Sequence, residues 1–413
     1  VRNRVLAGTL AAAMTLAGAV PAAAADPIRP VLPANTGSHP VGTTSLHLVD
    51  PNRTDPWVPA QQRELMITVS YPAGWSPAAP RAAWLEPGIA KALEKQVGLP
   101  VGSVDLTGVR RHARGGVPAD LSRGARPVVL FSPGFGVARE LGSILSDDLA
   151  SRGYVVVSLS HTHDSSAVEF PGGRIEPGMA TSIDPVAMKT AIDTRVADTR
   201  FLLDQLARLT HGDNPDAEHR VLPRGLGAAL DLSRVGMFGH SYGGFTAGET
   251  MYHDRRIDAG INLDGSMAYG LGPIAGQPYL PGEVTKHGLD RPFLLMGSQL
   301  VDPRTGKLID HDRTETAEQS WPDFWAQQRG WKRDLTLLGS RHGGYTDYQA
   351  IVPQVASLLP AGQREATIGT IDPERSLTAQ RDYVSAFFDL HLRGRNSHLF
   401  DGPSPCYPDV RFV

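Results

Sequence analysis

The chain has 413 residues, 41% hydrophobic and 20% charged, a globular composition with ample material for a core, which excludes a disordered or fibrous chain. Its formal net charge is −3 and the two signs are interspersed, so it lacks the basic face that nucleic-acid binding requires. A single cysteine, Cys406, excludes an intrachain disulfide, and stability must come from the core.

At the start of the chain, Arg2 and Arg4 precede an apolar, small-residue run over 5–20, and Pro21 leads into four alanines before Asp26. This pattern reads as a signal peptide over 1–25, cleaved near Ala25/Asp26, and predicts a secreted, extracellular protein. The run is too short and too rich in Ala and Gly for a membrane-spanning helix. Residues 26–413 are expected to form one domain. Its first part, 26–60, is rich in Pro, Gly, Thr and Asn and reads as an irregular lead-in. Alternation predicts a strand over 65–71. Residues 76–126, with many Pro, Gly and Arg, read as an insertion, either a surface feature or a cap, holding one helix over 87–97.

A regular alternation follows. Strands are predicted over 127–132, 154–160, 234–239, 259–263, 292–296 and 334–338. Helices are predicted over 137–152, 185–210, 242–253, 314–328 and 378–393. The strands are short, continuous apolar runs, as in sheets covered on both faces. The order implies an α/β fold, a mostly parallel central sheet with helices on both faces.

Gly239-His240-Ser241-Tyr242-Gly243 falls between one of these strands and a helix. A G-x-S-x-G sequence in that setting is the nucleophile elbow of an α/β-hydrolase fold. Its glycines allow a turn so sharp that side chains two positions away would collide, and the turn lifts the serine hydroxyl above the sheet. Ser241 is therefore the candidate nucleophile. The general base should follow the last strand. His342 does so, in Gly339-Ser340-Arg341-His342-Gly343-Gly344, whereas His391 and His398 lie on or beyond the final helix. The acid must hold the imidazole tautomer and stabilise its cation. Asp264, at the end of the strand over 259–263, and Asp302, after the next strand, both qualify by position. Two backbone N–H groups should form the oxyanion hole: that of Tyr242, after the nucleophile, and that of Phe135 in Ser132-Pro133-Gly134-Phe135-Gly136.

With these motifs in order, the chain from about residue 127 to 350 resembles the platelet-activating factor acetylhydrolase family, the plasma and intracellular type-II group with its bacterial relatives. The stretches that carry the resemblance are PVVLFSPGFGVARE, DLASRGYVVVSLSHTHDSSA, DLSRVGMFGHSYGG, INLDGSMAYGLGP, RPFLLMGSQ and LTLLGSRHGGYTDY. The resemblance implies Asp264 as the acid, since the family's acid lies in a Leu-Asp motif matched by Leu263-Asp264. It also implies His342 as the base, through the matching Gly-Ser-x-His motif. The family's oxyanion loop reads His-Gly-Leu-Gly. Pro133 and Phe135 depart from it here, which alters the pocket wall and leaves the backbone donor in place.

His161, His163 and Asp164 resemble the beginning of a metal-binding run, but no further ligand follows at suitable spacing and no metal or cofactor is expected. Trp321, Phe324, Trp325 and Trp331 read as core, with an apolar rim for transient lipid-surface contact as the minority reading. Leu85, Ile89, Ala92 and Leu93 invite the same two readings. The expected function is a secreted serine carboxylic ester hydrolase acting on small-molecule or lipid esters through an acyl-enzyme, without an obligate protein partner. A secreted serine amidase or peptidase and a catalytically silent binding protein on the same fold are the alternatives.

Overall fold

The computed structural model describes residues 26–97, 99–302, 305–315 and 318–413. The leader expected over 1–25 lies outside them. The central sheet has 11 strands. In chain order they are β1 (Val41–Thr54), β2 (Gln62–Pro72), β3 (Arg81–Ala83), β4 (Arg110–Gly115), β5 (Arg126–Ser132), β6 (Val155–Ser160), β7 (Leu230–His240), β8 (Ala259–Leu263), β9 (Phe293–Gly297), β10 (Lys332–Leu337) and β11 (Val410–Phe412). In space they run β11-β10-β9-β8-β7-β5-β6-β2-β1-β4-β3. β6, β5, β7, β8, β9 and β10 are mutually parallel, and β2 and β11 join this block antiparallel on either side. This is the α/β-hydrolase fold expected from the sequence. Chain order reverses between β5 and β7, and ligands of open α/β sheets bind outside the carboxyl ends of the strands at such a switch point.

Alternation along each strand builds two cores. Val128 and Leu130 of β5 face one side with the helices α3 (Pro185–Thr210), α4 (Tyr242–His253) and α5 (Ser320–Gln327). Val129 and Phe131 face the other, with α2 (Ser143–Ser151) and α6 (Pro373–Arg393). Trp321 and Phe324 of α5 are fully buried in the first core, which supports the core reading of the Trp-rich segment. A third cluster lies under α1 (Pro87–Val97) and includes Leu85, Ile89 and Leu93.

Three helices keep the bounds expected from the sequence: α1, α3 and α4. At α3 the reason is local, because Asp184 accepts from the N–H groups of Val186 and Ala187 and Pro185 occupies the first turn. The same Asp-Pro signal opens α6 at Asp372-Pro373, so that helix begins five residues before the expected 378. Other expectations need correction. The lead-in over 26–60 is not irregular throughout: β1 pairs antiparallel with β2 along Val41 to Asp50. Its polar residues Thr43, Ser45 and His47 disguised a strand whose stability comes from its ladder. Within 76–126, β4 pairs with β1 and β3 with β4, so that segment extends the sheet. The helix expected over 137–152 is regular only from Ser143, after a 3-10 turn at Arg139–Gly142. The helix expected from 314 begins at Ser320, and Glu318 just before it accepts from the N–H groups of Ser320 and Trp321.

Candidate active site

The elbow follows from steric necessity. Ser241 sits at φ 56° and ψ −127° between β7 and α4, a conformation non-glycine residues rarely adopt and one that stores strain at functional sites. A Cβ at Gly239 would strike the Gly243 backbone, and one at Gly243 would strike the carbonyl of Ser132. The turn is tied into the sheet, since the Ser241 N–H donates to the Leu263 carbonyl at 2.8 Å.

Asp264 follows β8 at φ 61°. The Asn262 amide clasps both backbone groups of Gly265, holding this second turn. His342 follows β10 on a loop anchored by Ser340 Oγ–H donating to Leu337 O and by Gln380 donating to Gly344 O. The three side chains converge. Ser241 Oγ lies 2.9 Å from His342 Nε2, and His342 Nδ1–H donates to Asp264 Oδ2 at 2.6 Å. Asp264 is fully enclosed, whereas the His342 side chain is 53% exposed. Burial alone would raise the Asp264 carboxyl. Hydrogen bonds from His311 and His342 outweigh it and hold Asp264 ionised, well below the usual carboxylate range. Asp302 does not take this place. It sits in a separate hairpin turn, accepting from Thr305 Oγ1 at 3.0 Å.

The loop carrying Phe135 lies against the elbow: a Cβ on Gly134 would stand 3.2 Å from that of Ser241. The half-buried Phe135 ring meets the Tyr242 ring edge-on at 6.0 Å. What aims this loop is a buried guanidinium. Arg195 of α3 donates to the carbonyls of Pro133 at 2.6 Å and Gly134 at 3.0 Å, and pairs with Asp164. Arg195 thus fixes the backbone on both sides of Gly134.

The His161-x-His163-Asp164 run, read as a weak metal motif, belongs to this support. Among the described residues no metal-ligating cluster forms. Asp164 pairs with Arg195, and His161 bridges Ser132 Oγ and Asp198, each at 3.0 Å. Ser132, His161 and Asp198 repeat the three residue types of the site, yet all are buried. Burial pushes His161 down to about 4 and keeps it neutral, so this set braces the loop.

Sequence reasoning missed several contributors. His240, inside the elbow, donates from Nε2 to the His342 carbonyl at 2.9 Å and is kept neutral by burial, down to about 3. Ser298 gives both its N–H and its hydroxyl to Asp264 at 2.7 Å. His311 donates to the other Asp264 oxygen at 2.9 Å. His240 and Ser298 lie within the quoted motif stretches, but the roles of all three residues leave no local trace, because their partners lie tens of residues away.

This geometry belongs to the class of α/β-hydrolase proteins with a Ser–His–Asp arrangement. The sequence model of platelet-activating factor acetylhydrolase, isoform II, matches residues 29–171 and 184–398, and the chain belongs to that family. It is 31% identical over 300 residues to a probable 1-alkyl-2-acetylglycerophosphocholine esterase of Arthroderma benhamiae, covering 70% of this chain and 66% of that protein. It is 26% identical to a platelet-activating factor acetylhydrolase of Cavia porcellus, covering 64% of this chain and 57% of that protein. The matches thus span less than two thirds of these curated relatives. Among solved structures, a ferulic acid esterase from Streptomyces cinnamoneus superposes with a TM-score of 0.74 at 37% identity, over 93% of this chain and 99% of that one.

Proposed function

We propose that the protein is a serine carboxylic ester hydrolase that works through an acyl-enzyme. The observation that carries this reading is the continuous hydrogen-bonded line from Ser241 through His342 to Asp264, at 2.9 and 2.6 Å, with His342 open to solvent and Asp264 enclosed. In this mechanism Ser241 Oγ attacks the ester carbonyl carbon while His342 Nε2 takes its proton. The carbonyl oxygen becomes an oxyanion held by the N–H groups of Phe135 and Tyr242. Asp264 stabilises the imidazolium, which then protonates the leaving alcohol as the C–O bond breaks. Water, deprotonated by His342, attacks the acyl-enzyme, releases the acid and restores Ser241. None of these steps calls on a cofactor.

The relatives' names point to phospholipid acetyl esters and to a ferulate ester, which share the ester carbonyl and differ in acyl group and alcohol. We take small-molecule or lipid esters as the substrate class. Action outside the cell, after cleavage near Ala25/Asp26, and transient contact with lipid surfaces accompany the reading.

The test is a screen of the purified protein against p-nitrophenyl esters of graded acyl length, a short-acyl phospholipid and a ferulate ester. At least one should turn over. Ser241→Ala should lower kcat by about 10⁴-fold or more with the fold intact, and a fluorophosphonate should label Ser241. An active alanine variant would refute the reading.

A further inference from the structure

The acid of the site is itself held from behind. His311 is buried, its ring stacked on Trp321 with centroids 4.1 Å apart and planes at 28°. Its Nδ1–H donates to Asp264 Oδ1 at 2.9 Å, on the oxygen opposite His342. Its Nε2 faces Glu318 Oε2 at 3.5 Å, an ion-pair separation. Glu318 is buried too and fixed by Ser266 Oγ–H at 2.7 Å and by the N–H groups of Ser320 and Trp321. Trp321 in turn donates from Nε1 to the carbonyl of Gly265, next to Asp264. Five groups thus form one line: Ser241, His342, Asp264, His311, Glu318.

A histidine between two enclosed carboxylates can satisfy both only as a cation with a proton on each nitrogen. We propose that His311 is a positioning residue of the site, a buried imidazolium that clamps Asp264 in its orientation and offsets part of its charge as felt by His342. This rests on the ester-hydrolase reading above. Burial opposes the cation, but the hydrogen bond to Asp264 and the nearby Glu318 carboxylate prevail and raise His311 to about 10, so it stays charged near neutral pH. Asp264, His311 and Glu318 then carry one net negative charge rather than two. The other charged or titratable groups near the line are Asp312 and Arg313 beside His311, Asp334 of β10, Tyr345 toward Asp264, and neutral His240 against His342.

The consequence for pH has a definite sign. Without His311, two carboxylates are left uncompensated, the His342 cation is favoured, and the neutral base form survives only at higher pH. His311→Asn should therefore move the acidic limb of kcat/KM upward. It should also lower kcat roughly tenfold, as expected for loss of one charge-assisted hydrogen bond, with little change in KM. A merely structural role would lower activity or stability without moving the limb. The second measurement uses the intact wild-type protein: histidine side-chain NMR across pH 5–9 should show both His311 nitrogens protonated throughout. A limb that stays in place, or a His311 that loses its proton near its ordinary value, overturns the proposal. Because the NMR readout needs no turnover, it is distinct from failure of the Ser241→Ala test. Wild-type hydrolysis with an inactive Ser241→Ala and an unmoved limb would sink the clamp and leave the ester-hydrolase reading standing.

Discussion

Asp264 and Asp302 stand at equivalent places in the chain, each after a parallel strand, and no property of either residue alone separates them. Their neighbours do. Asp264 is enclosed and receives hydrogen bonds from Ser298, His311 and His342, whereas Asp302 is engaged within its own turn. A carboxylate bonded to Nδ1–H selects the tautomer that leaves Nε2 free to take a proton, and an amide in its place can impose the wrong one. Asp264→Asn should therefore slow acylation by about 10³- to 10⁴-fold in pre-steady-state assays. Asp302→Asn should change the rate by less than about tenfold. The reverse outcome would move the acid to the other strand end.

At the scale of elements, the elbow and the loop beside it are held in different ways. The elbow is set by its own glycines, so it was legible in the sequence. The loop of Phe135 is set by α3, some sixty residues further along the chain, through Arg195. That residue reads as an ordinary helix position until the fold brings Pro133, Gly134 and Asp164 to it. Removing it leaves Asp164 as a buried charge without its partner, a change that costs about 3–5 kcal/mol. Arg195→Met should lose roughly that much stability in urea unfolding and should lower kcat. Arg195→Lys should retain more stability than rate, because a compact ammonium cannot reach two carbonyls and a carboxylate at once. An unchanged urea midpoint and rate in Arg195→Met would show that α3 does not aim the loop. The same dependence on distant partners explains β1, whose polar residues mark a strand only once β2 lies beside it.

For the whole molecule, buried titratable groups set how stability varies with pH. Asp198 and Asp264 are held well below the usual range, because Arg63 and His161 in one case, and His311 and His342 in the other, outweigh burial. Their stabilisation is present above about pH 4 and is lost as pH falls below it. Other groups act in the opposite direction. Burial raises Asp347 to about 6, Asp334 to about 7 and Glu140 to about 8. For His311, burial is outweighed by its two carboxylates, which raise it to about 10. Each of these favours its protonated form in the folded state, so its contribution declines as pH climbs from the unfolded value toward the folded one. His161 and His240, kept neutral by burial, add stability that is lost as pH falls below about 6.5, so the unfolding temperature should peak at about pH 6–6.5 and fall steadily toward pH 9. In His311→Asn the decline above about pH 6.5 should be shallower. A wild-type unfolding temperature that rises through pH 9 would contradict this assignment of buried charge.

The sequence by itself determined what depends on short-range geometry. The parallel strands announced themselves as apolar runs, α1, α3 and α4 as bounded helices, the elbow as glycines around Ser241, and His342 as a histidine after the last parallel strand. Each needs only neighbours within a few residues, so each leaves a local trace. Strand-end position left Asp264 and Asp302 equal and the family resemblance favoured Asp264; tertiary structure supplied the contacts that set Asp264 beside His342, turned His161 and Asp164 from a weak metal motif into a brace, and placed His311 and Glu318 behind the acid. These depend on hydrogen bonds and ion pairs between segments far apart in the chain. Such contacts act over a few ångströms and carry no sequence periodicity, so they exist only once the fold has closed.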